Sequence, residues 1–205
     1  MLIQELLPSL APDVFARLDA YAEHVLATNK WVNLTAITDP TDFTVKHIAD
    51  SLTLLPVLQN CHGNTLLDVG TGAGFPGMVL AIAAPDWQVT LLDSTLKKVK
   101  FLRDAVKLLG INAQVLWERA EELSRTDHMF YTQYDVVTVR AVSAMPKLCR
   151  WCLPLLKSGG RLLAMKGQTV EPCEAELAQY GGRIIDTLEL NLEGMERKII
   201  VIEKC

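Results

Sequence analysis

Apolar residues near the N-terminus of this 205-residue chain recur at helical spacing. A segment opened by Pro12 carries Phe15 and Leu18 on one face, as in an amphipathic helix that begins at a proline. A second segment with the same spacing is predicted as a helix over about 41–58. The pattern therefore predicts a helical N-terminal extension over residues 1–60.

Beyond residue 60 the pattern changes to short apolar runs between helical segments. The predicted strands are 65–69, 87–92, 113–116, 134–139 and 161–165, and the predicted helices are 76–84, 96–109 and 144–156. Such alternation is typical of a parallel sheet covered on both faces. Two last strand candidates, 183–190 and 196–202, flank a loop at 191–194 and predict an antiparallel C-terminal strand. We predict an α/β fold whose sheet domain spans 61–205 and forms one compact unit with the extension.

The motif directly after the first predicted strand is Asp68-Val-Gly-Thr-Gly-Ala-Gly-Phe-Pro-Gly77. A buried strand that breaks into glycines before a helix lets the backbone approach a nucleotide-like ligand. The G-x-G-x-x-G pattern within it is weak by itself. A pyrophosphate is an anion and gains nothing from an extra carboxylate nearby. A cationic, amino-acid-bearing nucleoside can bind that carboxylate. Asp68 therefore favours a methyl donor over a dinucleotide.

Two carboxylates each have two interpretations. Asp93 ends the second predicted strand, where an acid about 20 residues after the glycines typically binds both hydroxyls of a ribose. Its alternative role is to cap the helix that begins near Leu96, a role that Ser94 could share. Asp68 either contacts the ammonium group of the ligand, directly or through water, or caps the amides of the glycine loop.

Composition and cysteine usage narrow the class of protein. Half of the residues are hydrophobic and 21% are charged, as is ordinary for a soluble globular protein. No apolar run reaches the roughly 18 residues of a membrane helix, and the N-terminus lacks the features of a signal peptide. The five cysteines are odd in number and lack framework spacing. We expect a cytoplasmic protein with reduced thiols, no membrane partner and no metal, and we expect Cys149 and Cys152 to serve helix packing.

The charges are unevenly distributed around a net charge of −4. Residues 1–60 carry the acidic excess. One basic cluster lies at 97–107, and a second runs from Arg140 to Lys166 with no acid between Asp135 and Glu171. An acidic chain with two basic clusters can bind a polyanion at one surface.

Six segments occur together in an order and spacing that resemble one family. They are Trp31-Val-Asn-Leu-Thr35, His47-Ile-Ala-Asp-Ser-Leu52, the motif from Asp68 to Gly77, Leu92-Asp-Ser94, Arg119-Ala-Glu121 and Met165-Lys-Gly-Gln168. Over nearly its whole length the chain resembles the bacterial small-subunit rRNA methyltransferases of the RsmG type, formerly called glucose-inhibited division protein B. The resemblance implies a Rossmann-like, S-adenosylmethionine-dependent methyltransferase fold with an N-terminal helical extension. It also implies methylation of guanine N7 in the 530 loop of 16S rRNA, within the small ribosomal subunit or a precursor, by a monomer.

The resemblance also implies roles for individual residues. With the two carboxylates above, the cofactor site would comprise Asp68, Gly70, Gly72, Phe75, Asp93, Ala120, Glu121 and Arg140. In it Asp93 would hold the ribose, and Ala120 with Glu121 would meet the adenine edge. Arg140 and Lys166 would act in catalysis by positioning the substrate, and the RNA-binding residues would be Lys97, Lys98, Arg119 and Lys166. Lys46 stands where arginine is common in the family, which keeps the charge but loses a bidentate fork.

The chemistry of the fourth predicted strand agrees with a guanine N7 target. N7 carries an in-plane lone pair and no proton, so its methylation needs positioning rather than a general base. The segment from Asp135 to Ser143 lacks the Pro-Pro-aromatic signature expected for methylation of an exocyclic amine. It also lacks the nucleophilic cysteine needed for methylation of pyrimidine C5.

Other functions remain compatible with the sequence. A methyltransferase for small molecules, proteins or another RNA would share the cofactor loop, but it would not explain the basic run. An NAD-dependent dehydrogenase would share the glycines. A non-catalytic RNA-binding assembly protein could have kept the fold.

Two local expectations concern side chains beside the motifs. His47 lies one helical turn from Asp50, which predicts a contact between the two rather than a role in proton transfer. The resemblance places His47 towards the site. We expect Trp31 or Phe75 to lie in the core or in a pocket wall rather than to stack on a base.

Overall fold

One mixed sheet organises the protein. The computed structural model describes residues 10–125 and 129–205, so residues 1–9 of the predicted extension lie outside the described residues. The strands of the described chain are β1 (Thr65–Val69), β2 (Gln88–Asp93), β3 (Ala113–Trp117), β4 (Tyr134–Arg140), β5 (Leu156–Lys166), β6 (Gly182–Leu192) and β7 (Met195–Lys204). Their order across the sheet is β3-β2-β1-β4-β5-β7-β6. β1 to β5 pair in parallel, and β7 runs antiparallel to β5 and β6, as predicted.

Helices precede the sheet and connect its strands. The N-terminal part contains α1 (Pro12–Val32), α2 (Pro40–Phe43), a π-helical turn (Thr44–Ala49), α3 (Asp50–Leu52) and α4 (Leu55–Gln59). The connecting elements are α5 (Gly77–Ala83), α6 (Leu96–Leu109), α7 (Ala120–Leu123), α8 (Met145–Cys152), a 3₁₀ turn (Leu153–Leu155) and α9 (Glu174–Tyr180). The predicted change from helices to alternating strands and helices is confirmed.

The sheet buries both of its faces. Leu66 and Leu67 are adjacent on β1 and fully buried, and they point to opposite faces because side chains alternate along a strand. Leu66 belongs to an apolar cluster shared with the N-terminal helices, α5 and α6, whereas Leu67 belongs to one shared with α7, α8 and α9. The N-terminal helices thus cover one face of the sheet and share its core.

The strand order places the expected ligand crevice beside β1. The chain passes from β1 to β2 on one side and later returns to β4 on the other. Ligands in open α/β sheets bind beyond the carboxyl ends of the strands, where this order reverses. Asp93 and Arg140 are the last residues of β2 and β4, so both lie at that edge.

The helical stretch predicted over 41–58 is confirmed, but it is not one regular α-helix. The structure divides this stretch into α2, the π-helical turn, α3 and α4. Pro56 lies in the first turn of α4, where its missing amide hydrogen leaves no helical bond unmade. The proline therefore begins a new helix within this stretch.

The boundaries around β5 also differ from the prediction. α8 ends at Cys152 rather than continuing to residue 156, because Pro154 lies in the following 3₁₀ turn and has no amide hydrogen for a continuing helix. β5 begins at Leu156, and its pairing with β4 shifts between Tyr134 and Val136. Cys149 and Cys152 are buried on α8 within the apolar core, which fits a packing role.

No helix in residues 10–125 and 129–205 is long and apolar enough to span a membrane. Over the same ranges no group of three or more His, Cys, Asp or Glu side chains is arranged to hold a metal ion.

The shared core predicts that α1 is required for the stability of the whole protein. Leu18 on α1 is 1% exposed, and a Leu→Ala change in a core typically costs about 2–5 kcal/mol. We expect Leu18→Ala to lower the free energy of unfolding by about that amount while denaturant unfolding remains a single transition. Leu108→Ala, at a leucine that is 66% exposed on α6, is the matched control. Two separate unfolding transitions in Leu18→Ala would contradict a shared core.

Candidate functional site

The glycine loop after β1 has a backbone that other residues would strain. Gly70 has φ of +67° and Gly72 has φ of +63°, values that L-residues rarely adopt. A Cβ on Gly70 would lie 2.5 Å from Cγ2 of Val142. Glycine at position 70 therefore lets the loop after β4 pack directly on the loop after β1.

Asp68, on β1, holds this loop in place. Its side chain is fully buried; one carboxylate oxygen accepts from the Gly77 amide at 2.8 Å, and the other accepts from the Thr138 hydroxyl at 2.9 Å. Burial raises the pKa of the Asp68 carboxyl to about 6, although these hydrogen bonds oppose the shift. The contacts are those of the loop-capping interpretation, and a contact with a ligand's ammonium group stays a prediction.

Asp93 connects the glycine loop to α6. Its two oxygens accept from the Gly72 amide at 2.9 Å and from the Thr95 amide at 2.7 Å. Thr95 precedes α6, and no side chain caps the first turn of that helix, so Asp93 fixes the turn before α6 and neither Asp93 nor Ser94 caps it. Each carboxylate oxygen has a second lone pair for another donor, so a ribose contact stays a prediction.

A first cavity, of about 200 Å³, opens at the ends of β1, β2 and β3. We call it the β2-end cavity, and its lining includes Gly70, Asp93, Arg119, Ala120, Glu121 and Trp151. The structure thus brings together four of the predicted cofactor residues. Two carboxylates beside an apolar wall can accept hydrogen bonds from the hydroxyl and amino groups of a nucleoside.

A second cavity, of about 320 Å³, lies at the ends of β4 and β5. We call it the β4-end cavity, and its lining includes Ile37, Lys46, His47, Arg140, Lys166 and Arg197. Ala141 lines this cavity and Val142 lines the first one. The loop after β4 therefore separates the two cavities, and the predicted positioning residues Arg140 and Lys166 share the second.

Arg140 is held in place by the N-terminal helices. Its guanidinium donates to the Lys46 carbonyl at 2.9 Å, to Asp50 at 2.8 Å and to Nδ1 of His47 at 2.9 Å. The guanidinium carbon also lies 5.6 Å from the centre of the Phe75 ring, within the range of a cation–π interaction. Arg140 is thus fixed beside a predicted cofactor residue.

Asp50 binds a second arginine as well. The carboxylate is fully buried and accepts from Nε of Arg197 at 3.0 Å in addition to Arg140. The expected contact between Asp50 and His47 is wrong, because the Arg140 guanidinium lies between the two side chains and binds both.

His47 is part of the cavity wall and has no free ring nitrogen. Nε2 lies 2.8 Å from the Thr35 hydroxyl; since Arg140 can only donate, Nδ1 is the acceptor and Nε2 carries the proton. Burial and the adjacent Arg140 charge lower the pKa of His47 to about 4. The neutral ring stacks on Phe75 with the centroids 4.6 Å apart.

Phe75 is buried and Trp31 is exposed. Phe75 is 4% exposed and forms part of the wall, as expected, whereas Trp31 is 88% exposed. The prediction of a buried Trp31 is wrong. Trp31 lies in the last turn of α1, and the chain there turns at Asn33, which has φ of 56° and ends the helix, so the indole projects beyond the packed face.

The basic run from Arg140 to Lys166 is not a continuous basic surface. Ion pairs neutralise five of its cations: Arg140 with Asp50, Arg150 with Glu176, Lys157 with Asp135, Arg161 with Glu203 and Lys166 with Glu171. The stretch is free of acids along the chain but not in space, and its use in RNA binding stays a prediction. The acids come from segments distant in sequence, which a count along the chain cannot detect.

The predicted RNA-binding residues are dispersed around the two cavities. Lys98 lies beside the glycine loop, where its Nζ is 4.0 Å from the position of a Cβ on Gly72. Lys97 and Lys98 form no ion pair with any carboxylate of the described residues. Arg119 lies 3.5 Å from Glu121, and Lys166 donates to the Ser143 carbonyl at 3.1 Å as well as pairing with Glu171.

Sequence reasoning missed Arg197 and Thr35. Arg197 lies on β7, and only the fold brings it to Asp50 and into the β4-end cavity. Thr35 ends the segment Trp31-Val-Asn-Leu-Thr35, which carries part of the family resemblance, but nothing in the sequence indicated its hydrogen bond to His47. Arg197 has no sequence signal beyond its place in a strand.

Comparison with known proteins identifies close relatives by sequence. A family model described as GidB, rRNA small subunit methyltransferase G, matches residues 15–183. Ribosomal RNA small subunit methyltransferase G of Desulfitobacterium hafniense is 40% identical over 208 residues, which cover 98% of this chain and 85% of the relative. The protein of the same name from Acetivibrio thermocellus is 39% identical over 191 residues, which cover 90% and 78%.

Solved structures confirm the predicted fold. A SAM-dependent methyltransferase from Aquifex aeolicus superposes with a TM-score of 0.58 at 18% identity, covering 80% of this chain and 94% of its own. TrmN from Thermus thermophilus gives a TM-score of 0.57 at 21% identity, covering 76% and 48%. At these identities the likeness shows the α/β methyltransferase fold alone.

The buried carboxylate of Asp50 is predicted to be essential for stability. Removal of one partner from a buried ion pair typically costs about 3–5 kcal/mol, whereas an exposed pair contributes about 0–1 kcal/mol. We expect Asp50→Ala to lower the free energy of unfolding by the larger amount. Asp42→Ala is the matched control, because Asp42 pairs with Lys46 at the same 2.8 Å on the surface. Equal losses in the two variants would show that burial of the Asp50 pair has no effect on stability.

The lowered pKa of His47 predicts a dependence of stability on pH. Since His47 titrates at about 4 in the folded protein and near its ordinary 6.5 when unfolded, the unfolded chain binds more protons between these values. Its contribution to stability is complete above pH 6.5 and is lost as the pH falls to 4. We expect wild type to lose unfolding free energy more steeply than His47→Gln over this interval in denaturant titrations. His62→Gln, at an exposed histidine, should follow wild type; parallel curves for wild type and His47→Gln would refute the assignment.

Proposed function

Since the chain belongs to the GidB family of rRNA small subunit methyltransferases, we propose that it methylates N7 of a guanosine in 16S rRNA with S-adenosylmethionine. The resemblance to the family supports the 530 loop as the position of that guanosine. The observation that carries the proposal is the donor-rich lining of the β4-end cavity, where Lys46, Arg140, Lys166 and Arg197 meet.

The lining of the β4-end cavity suits the major-groove edge of guanine. That edge presents two acceptors, O6 and N7, and arginine and lysine are their usual partners. Donors can hold O6 and the neighbouring phosphate while N7 keeps its lone pair for the methyl group. Adenine presents its N6 amino group, a donor, at its major-groove edge. In this cavity that donor would face other donors and would find no acceptor.

The same cavity contains no available general base among its lining residues. Both nitrogens of His47 are occupied, and the buried Asp50 carboxylate binds two arginines. Methylation of an exocyclic amine releases a proton that a base must accept, whereas methylation of N7 requires only alignment. The arrangement therefore supports a ring nitrogen without a proton as the acceptor.

The residues of the β2-end cavity fit the nucleoside part of the cofactor. Asp93 can accept from ribose hydroxyls, Glu121 can accept from the adenine amino group, and Ala120 leaves space for the ring. S-adenosylmethionine supplies the methyl group as an electrophilic substituent of a sulfonium. Asp68 acts by holding the glycine loop through Gly77, because its own side chain is buried.

Catalysis then depends on orientation rather than on proton transfer. Arg140 lies at the boundary of the two cavities and is fixed by three hydrogen bonds, so it can orient the base without moving. Lys166 is 13% exposed and is held by Glu171 and the Ser143 carbonyl. Placing two reactants in line can supply several kcal/mol of a barrier, about 7–11 kcal/mol in well-oriented model reactions.

The proposal is tested by mapping N7-methylguanosine in 16S rRNA from cells with and without the gene for this protein. We expect one methylated guanosine to disappear in its absence and to return on complementation. Glu121→Ala should restore it poorly and bind S-adenosylhomocysteine about tenfold more weakly in calorimetry, because a hydrogen bond to a charged group contributes about 1.5–3 kcal/mol. Glu122→Ala is the matched control: Glu122 is the adjacent acid on α7 but faces Arg125. An unchanged methylation map in cells without the protein would refute the proposed function.

A further inference from the structure

Trp117 is an exposed aromatic residue in a fixed position. It ends β3, one of the two edge strands of the described sheet, and 54% of its surface is exposed. Its indole Nε1 donates to the Ser94 carbonyl at 3.0 Å, and no other aromatic ring of the described residues contacts it. A large apolar surface held by a hydrogen bond loses little conformational freedom when another flat group binds to it.

The surface around Trp117 continues into the candidate cofactor site. Ser94, Glu118 and Arg119 line a cavity of about 460 Å³ with Trp117, and the same three residues also line the β2-end cavity. In the sheet Trp117 pairs with Asp93. The surface at Trp117 is therefore continuous with the β2-end cavity through Arg119.

Cations of α6 flank the same surface. Arg103 donates to the Val115 carbonyl at 3.3 Å, and Val115 is two residues from Trp117 and so on the same face of β3. Lys100 and Lys107 are three and four residues from Arg103 and share its side of the helix. Neither lysine pairs with a carboxylate in the part of the chain that the structure describes.

The two acids nearest Trp117 contact Arg119, so the positive charge of this surface comes from α6. Glu118 accepts from the Arg119 amide at 2.9 Å, and Glu121 lies 3.5 Å from the Arg119 guanidinium. Asp104 is the one acid of α6, against the helix's five cations. The unpaired lysines of α6 contrast with the paired cations of the β4-end cavity, and they are free to bind an anion.

We propose that Trp117 is a stacking platform for an unpaired base of the RNA, with Arg119 and the α6 cations holding the adjacent phosphates. This inference rests on the proposed function, since it concerns a part of the same RNA that lies on the β3 side of the cofactor cavity. An aromatic surface beside a cationic track is how proteins bind single-stranded nucleic acid without base-specific hydrogen bonds. Specific RNA targets are mostly loops with unstacked bases, which supply such a strand.

The test measures binding of a single-stranded RNA oligonucleotide and of unmodified small ribosomal subunits to four proteins. They are wild type, Trp117→Ala, Trp117→Leu and Trp117→Phe. Base stacking typically contributes about tenfold or more to affinity. We expect Trp117→Ala and Trp117→Leu to bind about tenfold more weakly and to raise KM for the subunit by a similar factor with kcat unchanged. Trp117→Phe keeps a ring and should stay within about threefold of wild type.

A spectroscopic measurement separates stacking from an apolar contact. A base stacked on the Trp117 indole should quench tryptophan fluorescence in wild type, and Trp117→Phe should lose that component while it still binds. Leu108→Ala, which removes an exposed apolar side chain from the same helix as the flanking cations, should match wild type in affinity and quenching. S-adenosylhomocysteine affinity should be unchanged in all variants, which shows that they are folded.

The inference is overturned if Trp117→Ala binds RNA within twofold of wild type, or if Trp117→Leu binds as well as Trp117→Phe. Capture of a protein by this surface, with RNA binding unaffected, would overturn it as well. Failure of the proposed function has a different signature. In that case wild type would transfer no methyl group to rRNA, whereas the fluorescence response to the oligonucleotide would still report on Trp117.

Discussion

The buried carboxylate of Asp50 is the contact on which the β4-end cavity depends. It comes from the N-terminal helices and binds Arg140 at the end of β4 and Arg197 on β7. Two strands and the helical extension therefore meet at one carboxylate. A buried ion pair adds little stability compared with apolar packing, but the loss of one partner is costly. Its consequence here is positional, because the guanidinium groups that line the cavity cannot move independently of the extension.

The glycine loop depends on carboxylates in a similar way. Asp68 holds the Gly77 amide and Asp93 holds the Gly72 amide, while the Tyr21 hydroxyl on α1 donates to the Ala73 carbonyl. These contacts restrain a segment that glycines would otherwise leave free. Both cavities are thus bounded by backbone whose conformation is set before any ligand binds. Such preorganisation suits a reaction in which alignment does most of the work.

The sequence predicted those parts of the protein whose signals are local. β1 and α6 have the predicted bounds, because an apolar run before glycines and a helical period are both read within a few residues. Four of the eight predicted cofactor residues line the β2-end cavity, since motif residues follow directly on strand ends. The pairing of Arg140 with Asp50, and of Lys166 with Glu171, was missed, because those pairs depend on how distant segments meet. Arg197 was missed for the same reason.

The structure divides its cations into two groups with different physical behaviour. Arg140 and Lys166 are largely buried and paired, and such charges are weakly screened by salt. Lys97, Lys100 and Lys107 of α6 are exposed and form no ion pair among the described residues. Contacts of such lysines with phosphates release counterions, so their contribution falls steeply with salt. Moderate salt should therefore weaken RNA binding well before it disturbs the cavity where the base is held. The exposed lysines of α6 can therefore release one RNA and bind another, while the cations around the reacting base stay fixed.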